Sequence, residues 1–208
     1  MTLASIRIEP MKPKYNQQIS RLLIYGFRGK FHPLTNLTDT ELALFFEKLL
    51  DYFPNEPASQ RMVALQSEEV VGSLSIKWNA TPNTKQEAQK IPWHLFKLFG
   101  KWNSVKLFLA LYFLNHQPQD REYYIADVSV HPAHRGKGIG KQLLQWAKQS
   151  VQADPYLDTL SLHVSDKNLR AKKLYEQLSF QTQEQKSSFT RYLLFNEFKW
   201  HYMVQKLN

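Results

Sequence analysis

Cysteine is absent from the 208 residues. Disulfides, thiolate metal sites and a cysteine nucleophile are thereby excluded, and with them any covalent intermediate on sulfur. Long apolar runs are also missing. The uncharged stretch from Leu107 to Gln119 falls well short of the ~20 residues a membrane span needs. The first residues lack the basic start and apolar core of a signal peptide, so a cytoplasmic location is the expectation. Seven histidines are present, but His131 and His134 have no third partner at a familiar ligand spacing, and no metal site is expected. A G-x-S-x-G elbow is absent, so nothing argues for a serine nucleophile. Acidic residues are in deficit: 27 Lys and Arg face 18 Asp and Glu, for a net charge of +9. The basic residues are spread along the chain without a nucleic-acid-binding module, so no specific nucleic acid is expected, nor a membrane partner. Such a surface suits an anionic small ligand.

What is present is globular in composition, with 43% apolar and 13% aromatic residues. The length suits one domain over 1–208. Alternation and helical spacing predict a short strand at 5–9, helices at 14–30 and 38–53, and a hairpin of 61–66 with 70–78. Thr38 with Glu41 forms a capping-box pattern at the second helix. A strand at 123–130 precedes a helix at 138–151, whose buried face is expected at Ile139, Leu143, Trp146, Ala147 and Val151. Strand 159–164, helix 168–178 and strands at 180–184 and 200–207 complete the order. Residues 79–121 interrupt it. They begin polar, at 79–90, and then become rich in large apolar groups with a break at Gly100, which reads as a helical insertion packed on the sheet, a substrate wall or a dimer surface.

Three of the seven glycines are concentrated at Gly136, Gly138 and Gly140, between the strand closed by Pro132 and the following helix. A glycine loop at a helix start exposes backbone N–H groups and the positive end of the helix dipole. Arg135, Lys137 and Lys141 add full charges, so the construction suits a phosphate or pyrophosphate. Spacing excludes two nucleotide loops. Lys141 is followed by Gln142 rather than Ser or Thr, and no third glycine stands where the dinucleotide fingerprint requires one.

The spacing that does fit is Arg135-Gly136-Lys137-Gly138-Ile139-Gly140, followed downstream by Asn168, Ala171, Leu174, Tyr175, Ser179 and Phe180. Together these resemble the GNAT superfamily of acyl-CoA-dependent N-acetyltransferases, with Ser179 where glycine is usual. The resemblance is strongest over about 122–182. It implies a mixed α/β fold, a sheet of about seven strands flanked by helices, in which the fourth and fifth strands splay apart to admit a pantetheine arm. It implies acetyl-CoA as cofactor, held by the main chain of 135–141, including Ile139. Backbone groups of Val128 and Val130 would meet the pantetheine, with the Val128 N–H facing the thioester carbonyl. Asn168 would contact the cofactor and Tyr175 would lie near the sulfur as general acid. A phenol with an ordinary pKa near ~10 is protonated at neutral pH and can donate to a departing thiolate.

The base is open. Many family members carry Glu six residues before the position of Val130, but Tyr124 stands there. Asp120, Glu122 and Asp127 are nearby, and Asp127 is the best placed along the strand. It reads equally as a base or as a structural hydrogen-bonding residue, and a water chain is a third route. The expectation is an N-acetyltransferase working by direct transfer to a primary amine of unspecified type, as a monomer or homodimer. A CoA-binding sensor or assembly module without turnover is the alternative, kept open by Tyr124. A peripheral membrane or nucleic-acid partner built on 79–121 and the positive charge is the third.

Overall fold

The computed structural model describes residues 5–54, 58–79 and 92–207. The chain runs β1 (Arg7–Pro10), α1 (Asn16–Phe31), α2 (Asp39–Tyr52), β2 (Ser59–Gln66), β3 (Glu69–Trp78), α3 (Trp93–Phe99), α4 (Lys101–Leu114) and β4 (Glu122–Val130). It continues through α5 (Ile139–Ala153), β5 (Thr159–Ser165), α6 (Leu169–Gln177), β6 (Gln181–Ser187), α7 (Phe189–Phe195) and β7 (Lys199–Lys206). The strands form one mixed sheet in the order β1-β2-β3-β4-β5-β7-β6. All pairs are antiparallel except β4 with β5.

Two apolar clusters hold the layers. One gathers α1, α2, α3 and α4 with Phe195 of α7, and the other packs α5 and α6 with the central strands. The cap expected at Thr38 forms: its hydroxyl accepts from the Glu41 N–H, and Glu41 accepts from the Thr38 N–H. Such a cap contributes about 1 kcal/mol. In α5 the fully buried face is Ile139, Leu143, Leu144, Ala147 and Val151, with Leu144 in place of the expected Trp146, which is half-buried. Trp146 still packs against the cluster, with part of its indole left at the surface.

Two strands matter most for the site. β4 and β5 pair only over Glu122–Ile125 and Thr159–Leu162, after which the partners part. In β4, Asp127 faces Ser75 while Ile125 faces Ile76, so Ala126 is an extra, bulged residue where the strands part. A bulge re-aims the side chains around it.

The polar stretch expected at 79–90 lies, apart from Asn79, outside the described residues. The rest of the insertion is α3 and α4, broken at Gly100 with φ of 81°. The helices pack on α2, where Phe45 meets Phe99 and Phe108 with ring centres 5.4 and 5.6 Å apart, and the segment after them meets the sheet, through Asn115 on Lys77 and His116 against Tyr124. The opposite stripe of α4, Trp102, Val105, Leu109 and Tyr112, is exposed. Among the described residues no helix is long and apolar enough to cross a membrane.

The departure at Ser179 has a physical counterpart. The α6 helix closes through a residue at φ 66°, a left-handed position that glycine occupies without steric cost. Ser179→Gly is expected to stabilise the protein by about 1 kcal/mol, a rise of roughly 2–4 °C in Tm, read by thermal unfolding.

Candidate active site

Gly136 and Gly138 both adopt φ of 81°, and Gly138 is the residue from which α5 opens. The first hydrogen bond of that helix runs from the Gln142 N–H to the Gly138 carbonyl at 3.0 Å. The N–H groups of Ile139, Gly140 and Lys141 therefore have no helical acceptor and face outward from the helix start. No atom lies within 4 Å of the place where a Cβ on Gly138 would stand. Lys137 and Lys141 are exposed at the loop. Arg135 instead donates to the carbonyls of Val130, at 3.1 Å, and Tyr25, at 3.4 Å, so it ties the loop to β4 and α1. His134 is pushed below the ordinary imidazole value, first by burial and then by the Lys137 charge. The Ile139 side chain is buried in the core, leaving only its main chain for a ligand.

The parting of β4 and β5 leaves a notch of about 180 Å³. Its walls include Asp127 and Val128 from β4, His163 and Val164 from β5, and Asn168 and Tyr175 from the next segment. Val128 and Val130 also pack on the apolar cluster beneath α5. The Asn168 carboxamide oxygen caps α6 by accepting from the Ala171 N–H at 3.2 Å, which leaves its NH₂ group as the donor for a ligand. Tyr175 rests against Phe180, the rings tilted by 59° with centres 5.9 Å apart. Burial, and then the Asp127 charge, pushes its hydroxyl up to about 12.

Where the notch begins, a second cavity of about 520 Å³ opens among α1, α2, α4 and the sheet. The two share Phe27, Lys30, Ala126, Asp127, His163 and Trp200. At this junction Asp127 forms a two-pronged ion pair with Arg61, with both contacts at 2.7 Å and the pair largely buried. The Tyr124 hydroxyl stands 3.2 Å from His163 Nδ1. The His116 ring lies 4.3 Å from that of Tyr124 and 5.0 Å from that of His163, centre to centre. Behind them Glu122 is buried and ties β4 to β5 and β7 through the hydroxyls of Ser161 and Tyr202. Of the carboxylates that the sequence placed near the site, Asp127 alone lines the cavities. Asp120 sits at the surface, bonded to the Tyr156 hydroxyl.

His163, Arg61 and His116 carry no mark of a site residue in the sequence. They come from β5, β2 and the segment after α4; sheet register brings the first two to the junction, and packing against Tyr124 brings His116. The one available signal is Tyr124, a hydroxyl at a position where a carboxylate is usual.

A sequence model described as the acetyltransferase (GNAT) family matches residues 31–180. The chain belongs to the GNAT acetyltransferase family. The protein named uncharacterized N-acetyltransferase YycN, from Bacillus subtilis, is 35% identical over 88 residues. That match spans 42% of this chain and about half, 55%, of the relative. Among solved structures, Arabidopsis thaliana NAA60 in complex with acetyl-CoA superposes with a TM-score of 0.60 at 18% identity, covering 98% of this chain and 99% of that one. A spermidine N-acetyltransferase, SpeG, from Vibrio cholerae gives 0.60 at 15% identity, over 97% and 93%. The ribosomal-protein-S18-alanine N-acetyltransferase of Escherichia coli gives 0.59 at 11%, over 98% and 95%. At these identities the structures speak for the fold alone.

The GNAT loop of this chain fits a CoA pyrophosphate: open space over Gly138, outward N–H groups and two exposed lysines. Gly138→Ala tests that fit. The left-handed backbone costs the folded protein about 1–2 kcal/mol, while the added methyl enters the open space over the loop. CoA affinity is expected to fall at least tenfold in calorimetry, with only a few degrees lost in Tm.

Proposed function

We propose that this chain transfers an acetyl group from acetyl-CoA to a primary amine by direct attack within a ternary complex. The observation that carries this reading is the junction of the two cavities at Ala126, Asp127 and His163. A donor entering by the notch and an acceptor entering by the larger cavity meet at one point, and proximity of this kind supplies much of the rate. Acetyl-CoA, when bound, supplies an acyl group activated as a thioester.

The remaining work belongs to the chain. The loop 135–141 holds the pyrophosphate through main-chain N–H groups. The Val128 N–H donates to the carbonyl oxygen as charge builds there. Tyr175 donates its proton to the sulfur as the carbon–sulfur bond breaks. Its raised pKa keeps it protonated until the carbon–sulfur bond breaks. A thiol is ordinarily the stronger acid, at ~8.5, so the transfer is uphill and is completed as the phenolate regains the proton that the attacking amine releases. On the acceptor side an ammonium must lose a proton. Asp127 has both oxygens occupied by Arg61, so a proton arriving there would have to displace a guanidinium. His163, which lines both cavities and contacts the Tyr124 hydroxyl, is the better acceptor, and the Asp127–Arg61 pair shapes the junction.

Initial rates of CoA release, with acetyl-CoA and a panel of amines varied against each other, test the reading. Intersecting double-reciprocal lines and an amine product carrying one acetyl group are expected. Parallel lines would exclude the ternary complex. CoA binding with no amine-dependent release would instead make the chain a silent CoA-binding module.

A further inference from the structure

The larger cavity differs in character along its length. One end is the polar junction of Tyr124, His163 and the Asp127–Arg61 pair. The rest is walled by side chains from three helices: Leu23 and Phe27 of α1, Phe46 and Leu50 of α2, and Phe108 and Leu111 of α4. At about 520 Å³ it is within the size range of small-molecule sites. The insertion is part of this wall, so the apolar half exists only because α4 packs beside α2.

The charge balance of the lining is equally informative. Lys30, Arg61 and Lys77 are its cations, and among the described lining residues Asp127 is the one carboxylate. Arg61 grips both of its oxygens. Lys30 stands 4.5 Å from the centre of the Trp200 ring, and Lys77 donates to the Asn115 side chain at 3.1 Å. An acceptor with several ammonium groups would place its further charges in an apolar, cation-lined space where, among the described residues, the one carboxylate is already held by Arg61, which is unfavourable. A neutral apolar body gains by leaving water.

Resting on the transferase reading above, we infer that the acceptor is a monoamine carrying a bulky aromatic or branched apolar body. The body lies between α1, α2 and α4, and the amine is presented at the Tyr124–His163 junction. Polyamines and aminoglycosides are disfavoured as acceptors by the same walls.

Calorimetric titration of the CoA-saturated protein tests this without requiring turnover. The probes are methylamine, 2-phenylethylamine, 2-naphthylmethylamine and spermidine. Affinity is expected to rise along the first three, with 2-naphthylmethylamine at least tenfold tighter than spermidine and a negative heat-capacity change. Leu50→Trp, which fills the apolar half, should weaken the naphthyl probe at least tenfold and leave CoA affinity unchanged. If that variant does not fold, the ladder in the unaltered protein decides. Equal or tighter binding of spermidine, or no rise along the ladder, overturns the inference. Turnover assays with the same amines separate the two levels. A rising ladder without acetyl product sinks the transferase reading and leaves the cavity assignment standing. Product from spermidine or methylamine alone does the reverse.

Discussion

Tyr175→Phe is expected to lower kcat by about 10²–10³-fold while CoA affinity stays within twofold. The ring position survives the change, because phenylalanine can keep the contact with Phe180 and the apolar cluster beneath α6. Only the hydroxyl is lost. That hydroxyl is pushed up to about 12 by burial and by the Asp127 charge, so it is protonated over the whole range in which the protein is handled. A loss of rate should therefore be uniform in pH, and the alkaline limb of the wild-type profile should not move. An acid titrating near its ordinary value would instead take the alkaline limb with it. Steady-state rates from pH 6 to 10, together with calorimetry of CoA, make the measurement. A Phe variant retaining more than a tenth of the wild-type kcat would remove Tyr175 from proton delivery.

The part of the site that is legible in the sequence is the part that is local. Residues 135–141 form a single loop, and their glycines, charges and helix start lie within a few positions of one another. Asn168 and Tyr175 are two helical turns apart, so their shared face follows from the helical period. The capping box at Thr38 is local for the same reason. The acceptor side is not local. Arg61 lies 66 residues before Asp127 and Tyr124 lies 39 before His163, and only the register of β2, β3, β4 and β5 makes them neighbours. Bulging at Ala126 is equally invisible in composition, yet it falls where β4 and β5 part. The α7 helix is hidden in the sequence because seven residues rich in Phe, Tyr and Leu suit a short strand as well as a helix turn. Its place is decided by Phe195, buried with α1 and α2. The insertion is helical over 93–114, as its spacing predicts, but its helices take α2 as a partner and only its last described segment meets the sheet, since aromatic rings distribute by tertiary packing rather than by spacing.

Glu122→Gln is expected to cost about 3 kcal/mol at pH 7 and to reduce the acid sensitivity of the fold. The carboxylate is buried, which alone would raise its pKa. The His116 ring, the Ser161 hydroxyl, the Gln119 N–H and the Tyr202 hydroxyl more than compensate and hold it down at about 2. Its value in an unfolded chain is 4.5, so the folded state is the stronger acid. The stabilisation is then complete above about pH 5 and is lost as pH falls through 4.5 toward 2. Glutamine keeps the size of the side chain but offers one acceptor atom to donors that had two. Urea unfolding of both proteins at pH 7, 5 and 3 reads the difference. The wild type should lose more than half of its advantage over the variant between pH 5 and 3, and an advantage that stays constant would clear Glu122 of the acid transition. The consequence reaches the active site because Glu122 bonds across β4, β5 and β7 at the first pair of the short β4–β5 ladder, which ends at Ile125 where the strands part. Weakening that tie loosens the base of the notch, so the variant should also raise the KM for acetyl-CoA, although Glu122 is absent from the lining of either cavity.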